Sequence, residues 1–405
     1  MSYLNKPKVM VGNVQRAVHE GMPVFILQDP LQINDAVILL PQALGPLVML
    51  CDGQHTVPEI KQELKQNYGI NLPNGTVDYL LSQLDEALMI EGGKLKQAKQ
   101  KIMADYHTAP YRKSSLAGHS YPADADALRQ ILQGYVDELD DVTPLSGNVR
   151  ALLSPHIDYQ RGGPVYAGLW TSAAQAVREA ELVIVLATDH SGGLGRITLT
   201  PQNYATPLGV LPTEQRIVNR LATALGSDEV YAEELHHINE WSIELVLVWL
   251  QYIRQGHPCP IVPILCGSFQ HFMLDQANIQ AEQKFQTMSE ILREEMAQRR
   301  TLIVASGDLA HMGPAFDGEP LDKTDYTQMQ VDDTILTNTL ATGQAQSFFE
   351  LMKTEQHERN VCGLSPFYFT LDLLQKSQGT LTSYDRCPAD DHNTSFVSVC
   401  GMALE

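Results

Sequence analysis

The stretch Leu153-Ser154-Pro155-His156-Ile157-Asp158 decides the fold. A mostly apolar run, Val149 to Leu153, stops there and is followed at once by an imidazole. The pattern recurs twice. Leu182 to Ala187 leads into Thr188-Asp189-His190, and Thr301 to Ala305 leads into Ser306-Gly307-Asp308-Leu309-Ala310-His311. Short apolar runs bounded by turn signals read as buried strands. Helical patterns separate these runs, which predicts an α/β fold with a largely parallel sheet and helices on its faces. Ligands in such sheets bind beyond the carboxyl ends of the strands. The three histidines are therefore expected to converge, although they are far apart in the chain.

Working outward, 405 residues predict two domains. With 28 basic and 48 acidic side chains the net charge is −20. That disfavours nucleic acid, whose binding depends on Lys and Arg neutralising phosphates, and it disfavours anionic membrane surfaces. Six cysteines (51, 259, 266, 362, 387, 400) include no CxxC pair, which argues against a structural zinc knuckle. The N-terminus shows no signal-peptide pattern. The apolar stretch Ala36 to Cys51 is interrupted by Pro41, Gly45 and Pro46 and is too short to span a bilayer. A reduced, cytoplasmic compartment is the expectation.

Residues 1–95 read as a first domain. Val24 to Leu27 and Ala36 to Leu40 predict strands, and Pro41 to Cys51 predicts a helix. Thr56-Val57-Pro58-Glu59 opens a second helix, with Thr as cap. A third covers Thr76 to Ala87, and Leu88 to Gly93 reads as a wing strand. The phrases LCDGQHTVPEI (50–60) and LLSQLDEALMIE (80–91) resemble the PqqD-like winged-helix family. That resemblance implies peptide or partner recognition. Consistently, residues 1–95 hold 6 Lys/Arg and 10 Asp/Glu, a net of 6 − 10 = −4, which does not suit DNA. Residues 96–115, which begin in the basic run KLKQAKQK (94–101), read as a basic, helix-prone linker, and a second domain is expected over 116–405.

The second domain carries the chemistry. After His156, Gly162-Gly163 allow a tight turn or close backbone approach, and Pro164 suits the first position of a helix. Neither a GxGxxG nor a Walker A pattern is present. Glu240-Trp241-Ser242-Ile243-Glu244 leads into a run apolar on nearly every side, a buried helix with Glu244 in its first turn. Glu244 either points into a site or caps the helix. Cys362-Gly363-Leu364-Ser365-Pro366 places a thiol at a helix N-terminus, which favours thiolate. A metal site needs neutral imidazoles, thiolate or carboxylates at one spot. His156, His190 and Cys362 are candidate ligands, and Asp308, His311 and Glu244 are candidate acid–base groups. Cys266 and Cys400 read as core thiols. His271, His357 and His392 read as surface residues.

The ordered set SPHIDY (154–159), TDHSGG (188–193), EWSIE (240–244), SGDLAH (306–311) and NVCG (360–363) resembles the Memo family over residues 116–405. Its bacterial members are called AmmeMemoRadiSam system protein B. The resemblance implies a fold similar to class III extradiol dioxygenases, an α/β sandwich around a mixed sheet. It implies His156, His190 and Cys362 as metal ligands, with Asp308 and His311 lining the same pocket. The family usually has histidine at the position of Trp241. Three functions are compatible with this resemblance. One is a non-heme iron(II) oxidoreductase of dioxygenase type acting on an aromatic small molecule or peptide side chain, with copper or zinc as alternative metals. The others are a metal- or peptide-binding partner of a radical SAM protein, and a metal-dependent hydrolase with Asp308 or Glu244 as base.

Overall fold

The computed structural model describes residues 3–10, 14–29, 33–140, 142–355 and 359–405. His357 lies outside the described residues. The chain divides into two compact units, Met1–Ala109 and Pro110–Glu405.

In the first unit, β1 (Gln15–His19), β2 (Met22–Gln28) and β3 (Val37–Pro41) form an antiparallel meander. Helices Gly45–Leu50, Val57–Asn67, Thr76–Glu86 and Gly93–Thr108 follow. Thr56 and Glu59 form a reciprocal capping box, which fixes the start of the second helix. Leu27, Leu47, Ile60, Leu64, Leu81 and Leu84 build the core. Ile90, expected in a wing strand, makes an isolated bridge with Val9. The basic, helix-prone stretch is for the most part the helix Gly93–Thr108, which buries Leu95 and Tyr106. The residues after it belong to the second unit, because Arg112 pairs there with Tyr204 and is buried.

The second unit is built on one mixed sheet. β4 (Ala151–Ser154), β5 (Leu182–Thr188), β9 (Ile261–Cys266) and β10 (Thr301–Ser306) form its parallel centre, in the order β4-β10-β5-β9. On one side β13 (Phe396–Leu404) pairs antiparallel with β4 and carries β11 (His311–Met312) and β12 (Gly379–Pro388). On the other side β6 (Ile197–Leu199) closes the sheet antiparallel to β9, and β7 (Tyr204–Thr206) pairs with β8 (Gly209–Leu211) as a hairpin.

Alternate strand residues feed two cores, as period-2 side-chain alternation demands. Leu153, Ile184, Leu186, Ile264 and Ile303 face one, with Leu221, Leu292 and Phe367 from its helices. Leu152, Val183, Val185, Leu265 and Val304 face the other, with Trp170, Leu247 and Trp249. Strands buried on both faces explain why the sequence reads as continuous apolar runs. Helix Tyr159–Ser172 starts earlier than expected, because Asp158 caps it by accepting from Arg161 N–H at 3.1 Å, so Pro164 lies inside it. Its glycines serve close approach: a Cβ on Gly162 would lie 2.4 Å from Ile157 Cγ2, and one on Gly163 2.5 Å from the Tyr135 ring. Among the described residues no helix is long and apolar enough to cross a membrane. All six cysteines are free. His392 is exposed, whereas His271 is half-buried beside Phe272.

Candidate metal centre

The strand register aligns the site. Ser306 of β10 pairs with Ser154 of β4 and Ala187 of β5, so the three parallel strands end at one level. His156 and Asp308 each follow their strand's end by two residues, and His190 follows Thr188 by two. Cys362 arrives from the turn before helix Leu364–Leu374. That turn is tied in by Gly363 N–H donating to the Asp308 carbonyl at 3.0 Å. The two turns cross backbone to backbone: a Cβ on Gly307 would sit 2.3 Å from Gly363 Cα. Glycine at 307 is what lets the sulfur reach the histidines.

One donor atom each from His156, His190 and Cys362 lies within 4.8 Å of the others. Cys362 Sγ is 3.2 Å from His156 Nε2, and the two imidazole centroids are 4.9 Å apart. A second grouping, Asp308, His311 and Cys362, shares the same sulfur. A third, Asp189, Glu233 and His236, is held together by His236 Nδ1 at 2.9 Å from Asp189 Oδ2.

Burial and partners set the charge states. Burial pushes His156 down to about 3, so its ring is neutral at pH 7, as a ligand must be. Burial also disfavours a charged His190, but Glu240 outweighs it and raises this histidine. In return His190 holds Glu240 down to about 2, against the effect of burial. The Glu240 carboxylate is therefore an acceptor, 3.1 Å from His190 Nδ1, which leaves Nε2 as the free ring nitrogen. This carboxylate–imidazole arrangement is the one that orients metal-bound histidines. Cys362 departs from expectation. Burial, aided by the Asp308 carboxylate, drives its thiol well above the usual range and overrides the helix N-terminus. The Asp308 N–H donates to its sulfur at 3.1 Å, and a cation at the triangle would supply the remaining stabilisation of a thiolate.

Asp308 Oδ1 accepts from His156 N–H at 2.8 Å, and burial raises this carboxyl. His311 is lowered by burial. Its Nδ1 lies 3.2 Å from the Asn360 carbonyl, which can only accept, so Nδ1 carries the proton. Nε2, 4.0 Å from Asp308 Oδ2, keeps its lone pair. A cavity of about 460 Å³ opens beside these groups. His156, His190, Asp308 and His311 line it together with Trp241 and Phe316. Trp241 stacks on His190 at 4.5 Å between centroids, and Phe316 meets His311 edge-on at 5.0 Å. A larger cavity of about 730 Å³ lies at the other end of the strands, around Arg150 and Arg300, and contains none of these residues.

Residues 112–403 match the family described as Memo-like protein. This chain belongs to the Memo family. The Memo family has a dioxygenase-like fold, in keeping with the mixed sheet seen here. A MEMO1 family protein of Aquifex aeolicus is 24% identical over 98% of this chain and 100% of its own length. A memo-1 homolog of Caenorhabditis elegans is 27% identical over 65% of this chain and 71% of its own. A MEMO1 family protein of Thermotoga maritima is 32% identical over 49% of this chain and 70% of its own.

Within this Memo chain one expected acid–base residue is elsewhere. Glu244 is fully buried and does not line the cavity. Its oxygens accept from Ser115 N–H at 2.7 Å and Leu116 N–H at 3.0 Å, and also from Arg112 and Tyr121. A carboxylate whose lone pairs are taken by the chain's own donors is a structural anchor. Glu240, four residues earlier, is the carboxylate that serves the site. The sequence held a signal for it, since both belong to the EWSIE motif, but of the two only Glu244 was expected as an acid–base group.

Proposed function

We propose that this chain is a metal-dependent oxidoreductase of the non-heme iron dioxygenase type, acting on an aromatic small molecule or a peptide side chain. The observation that carries the reading is the convergence of His156, His190 and Cys362 within 4.8 Å at the edge of an open cavity. Two imidazoles and an anionic third donor, with room beside them, suit iron(II); the sulfur also suits copper or zinc. Iron(II) held there would supply Lewis acidity and one-electron chemistry toward dioxygen.

The chain's own groups supply the rest. His156 is kept neutral by burial, and Glu240 fixes the ring of His190 with Nε2 inward. His311 accepts a substrate hydroxyl proton at Nε2, its reduced basicity suiting it to release that proton again near neutral pH. Asp308 locks the His156 backbone and the Cys362 sulfur in place. Trp241 and Phe316 give the cavity aromatic walls, which suit a flat ring and limit water.

Metal content after anaerobic purification tests this reading. The parent protein should retain about one ion per chain and His190→Ala or Cys362→Ser should retain none. Equal content in parent and variants, or none in the parent, overturns it. Oxygen uptake with catechols then separates catalysis from binding. A second reading, a binding partner of a radical SAM enzyme, is favoured by the separate N-terminal unit. We read that unit as a PqqD-like winged-helix domain for peptide docking, in a reduced cytoplasmic setting. Oxygen-independent turnover by the zinc form, with Asp308 as base, would select hydrolysis instead.

A further inference from the structure

We infer that Arg112, which does not itself line the cavity, is the positioning residue that holds the metal triangle in register, acting through Glu240. This inference rests on the triangle being a metal site. Arg112 is almost completely buried, and its backbone is clamped on β7: its N–H donates to Asn203 O at 2.7 Å, and Ala205 N–H donates to its carbonyl at 2.9 Å. From that fixed base the guanidinium reaches the one-turn helix His236–Asn239 and Glu240, which ends it. Nε donates to the His237 carbonyl at 2.8 Å and Nη2 to the Glu240 carbonyl at 2.9 Å. Nη1 donates to Glu244, whose carboxylate neutralises the buried charge and helps fix the guanidinium plane.

This segment is held from its other side too. His237 bonds Tyr204 Oη through Nδ1 at 2.5 Å and the Thr198 carbonyl through Nε2 at 3.1 Å. Glu240 is thus fixed at both ends. Its carbonyl is held by Arg112, while its carboxylate accepts from His190 N–H at 2.9 Å, Ser242 N–H at 3.0 Å and the His190 ring. The planar fork of arginine spans two carbonyls and a carboxylate at once, which a lysine ammonium cannot do. This gives Glu244 its purpose: it is the counter-charge that allows a guanidinium to be buried at this point.

Anaerobic cobalt(II) titration tests the inference, with dissociation constants from chelator competition and the thiolate charge-transfer band as the signature of site occupancy. Glu240→Gln should weaken cobalt about 10- to 100-fold, the usual cost of losing a residue that orients a ligand. The charge-balanced pair Arg112→Gln/Glu244→Gln should weaken it about tenfold. Adding Glu240→Gln to that pair should cost no more than Glu240→Gln alone. Parent-like affinity in the pair, or losses that multiply, overturns the inference.

Should the pair fail to fold, Arg112→Lys keeps the charge and must still weaken cobalt; parent-like affinity refutes the proposal. Hydrogen exchange in the metal-free protein gives an independent readout. Arg112→Lys should speed exchange at the His190 and Ser242 amides, which donate to Glu240, and unchanged rates there overturn the assignment. If the parent takes up no cobalt, the metal reading fails, and the exchange rates still decide the role of Arg112.

Discussion

Replacing Glu244 by glutamine distinguishes an anchor from a catalyst. The side chain is fully buried and accepts from Arg112, Tyr121, Ser115 and Leu116. An amide of the same shape turns one acceptor into a donor facing donors, and strands the Arg112 charge. Breaking a buried ion pair from one side costs about 3–5 kcal/mol. That is a large fraction of the roughly 5–15 kcal/mol by which domains are stable. The assay is urea unfolding followed by tryptophan fluorescence. Trp170, Trp241 and Trp249 all lie in the second unit, so the signal reports that unit alone. With a slope of roughly 3 kcal/mol per molar urea, the midpoint should drop by about 1–1.7 M. Burial raises the Glu244 carboxyl, but Arg112 and the other donors more than compensate, so it titrates below its ordinary 4.5. Its stabilisation is therefore complete above about pH 4.5 and is lost as the pH falls through the lowered folded value. Glu244→Gln should lack that part of the acid profile. A variant with parent-like urea stability but no activity would refute the reasoning and return Glu244 to the chemistry.

Three further outcomes follow from the same geometry. Gly307→Ala places a methyl 2.3 Å from Gly363 Cα, so the turns bearing Asp308 and Cys362 must part. Stability should fall by about 1–3 kcal/mol and cobalt affinity should drop, both checked on one preparation by urea and titration. Burial holds both His156 and His237 near about 3, well below the 6.5 of an unfolded histidine. The unfolded chain then binds more protons between those values, so metal-free stability should fall as pH drops from about 6.5 toward 3. His237→Asn should flatten that slope in a pH series of melts. Trp241→Ala should leave metal content intact, since the indole is no ligand, while weakening 4-nitrocatechol severalfold in the cobalt form, as loss of a stacking contact of about 0.5–1.5 kcal/mol requires. Equal affinity by visible absorption would remove Trp241 from the substrate wall.

The periodicity of the chain alone determined the layered α/β architecture. Strands buried on both faces have to be apolar throughout, and Val183 to Ala187 and Leu302 to Ala305 could be little else. Strand ends were equally legible, because a buried run must stop where polar groups begin, and that places His156, His190 and Asp308 just beyond their strands from the sequence alone. Register was not legible. Only the pairing of Ser306 with both Ser154 and Ala187 puts those ends at one level. Three choices were left to tertiary structure. Glu240 rather than Glu244 faces the histidine, because a cap residue can turn its side chain outward while the first helical turn here packs against Arg112. The Cys362 thiol is raised, because enclosure outweighs a helix terminus. Arg112, set among lysines in a stretch that looks like solvated linker, is buried. Local sequence encodes the period and ends of each element, whereas which side chains meet depends on contacts between residues 50 to 206 positions apart.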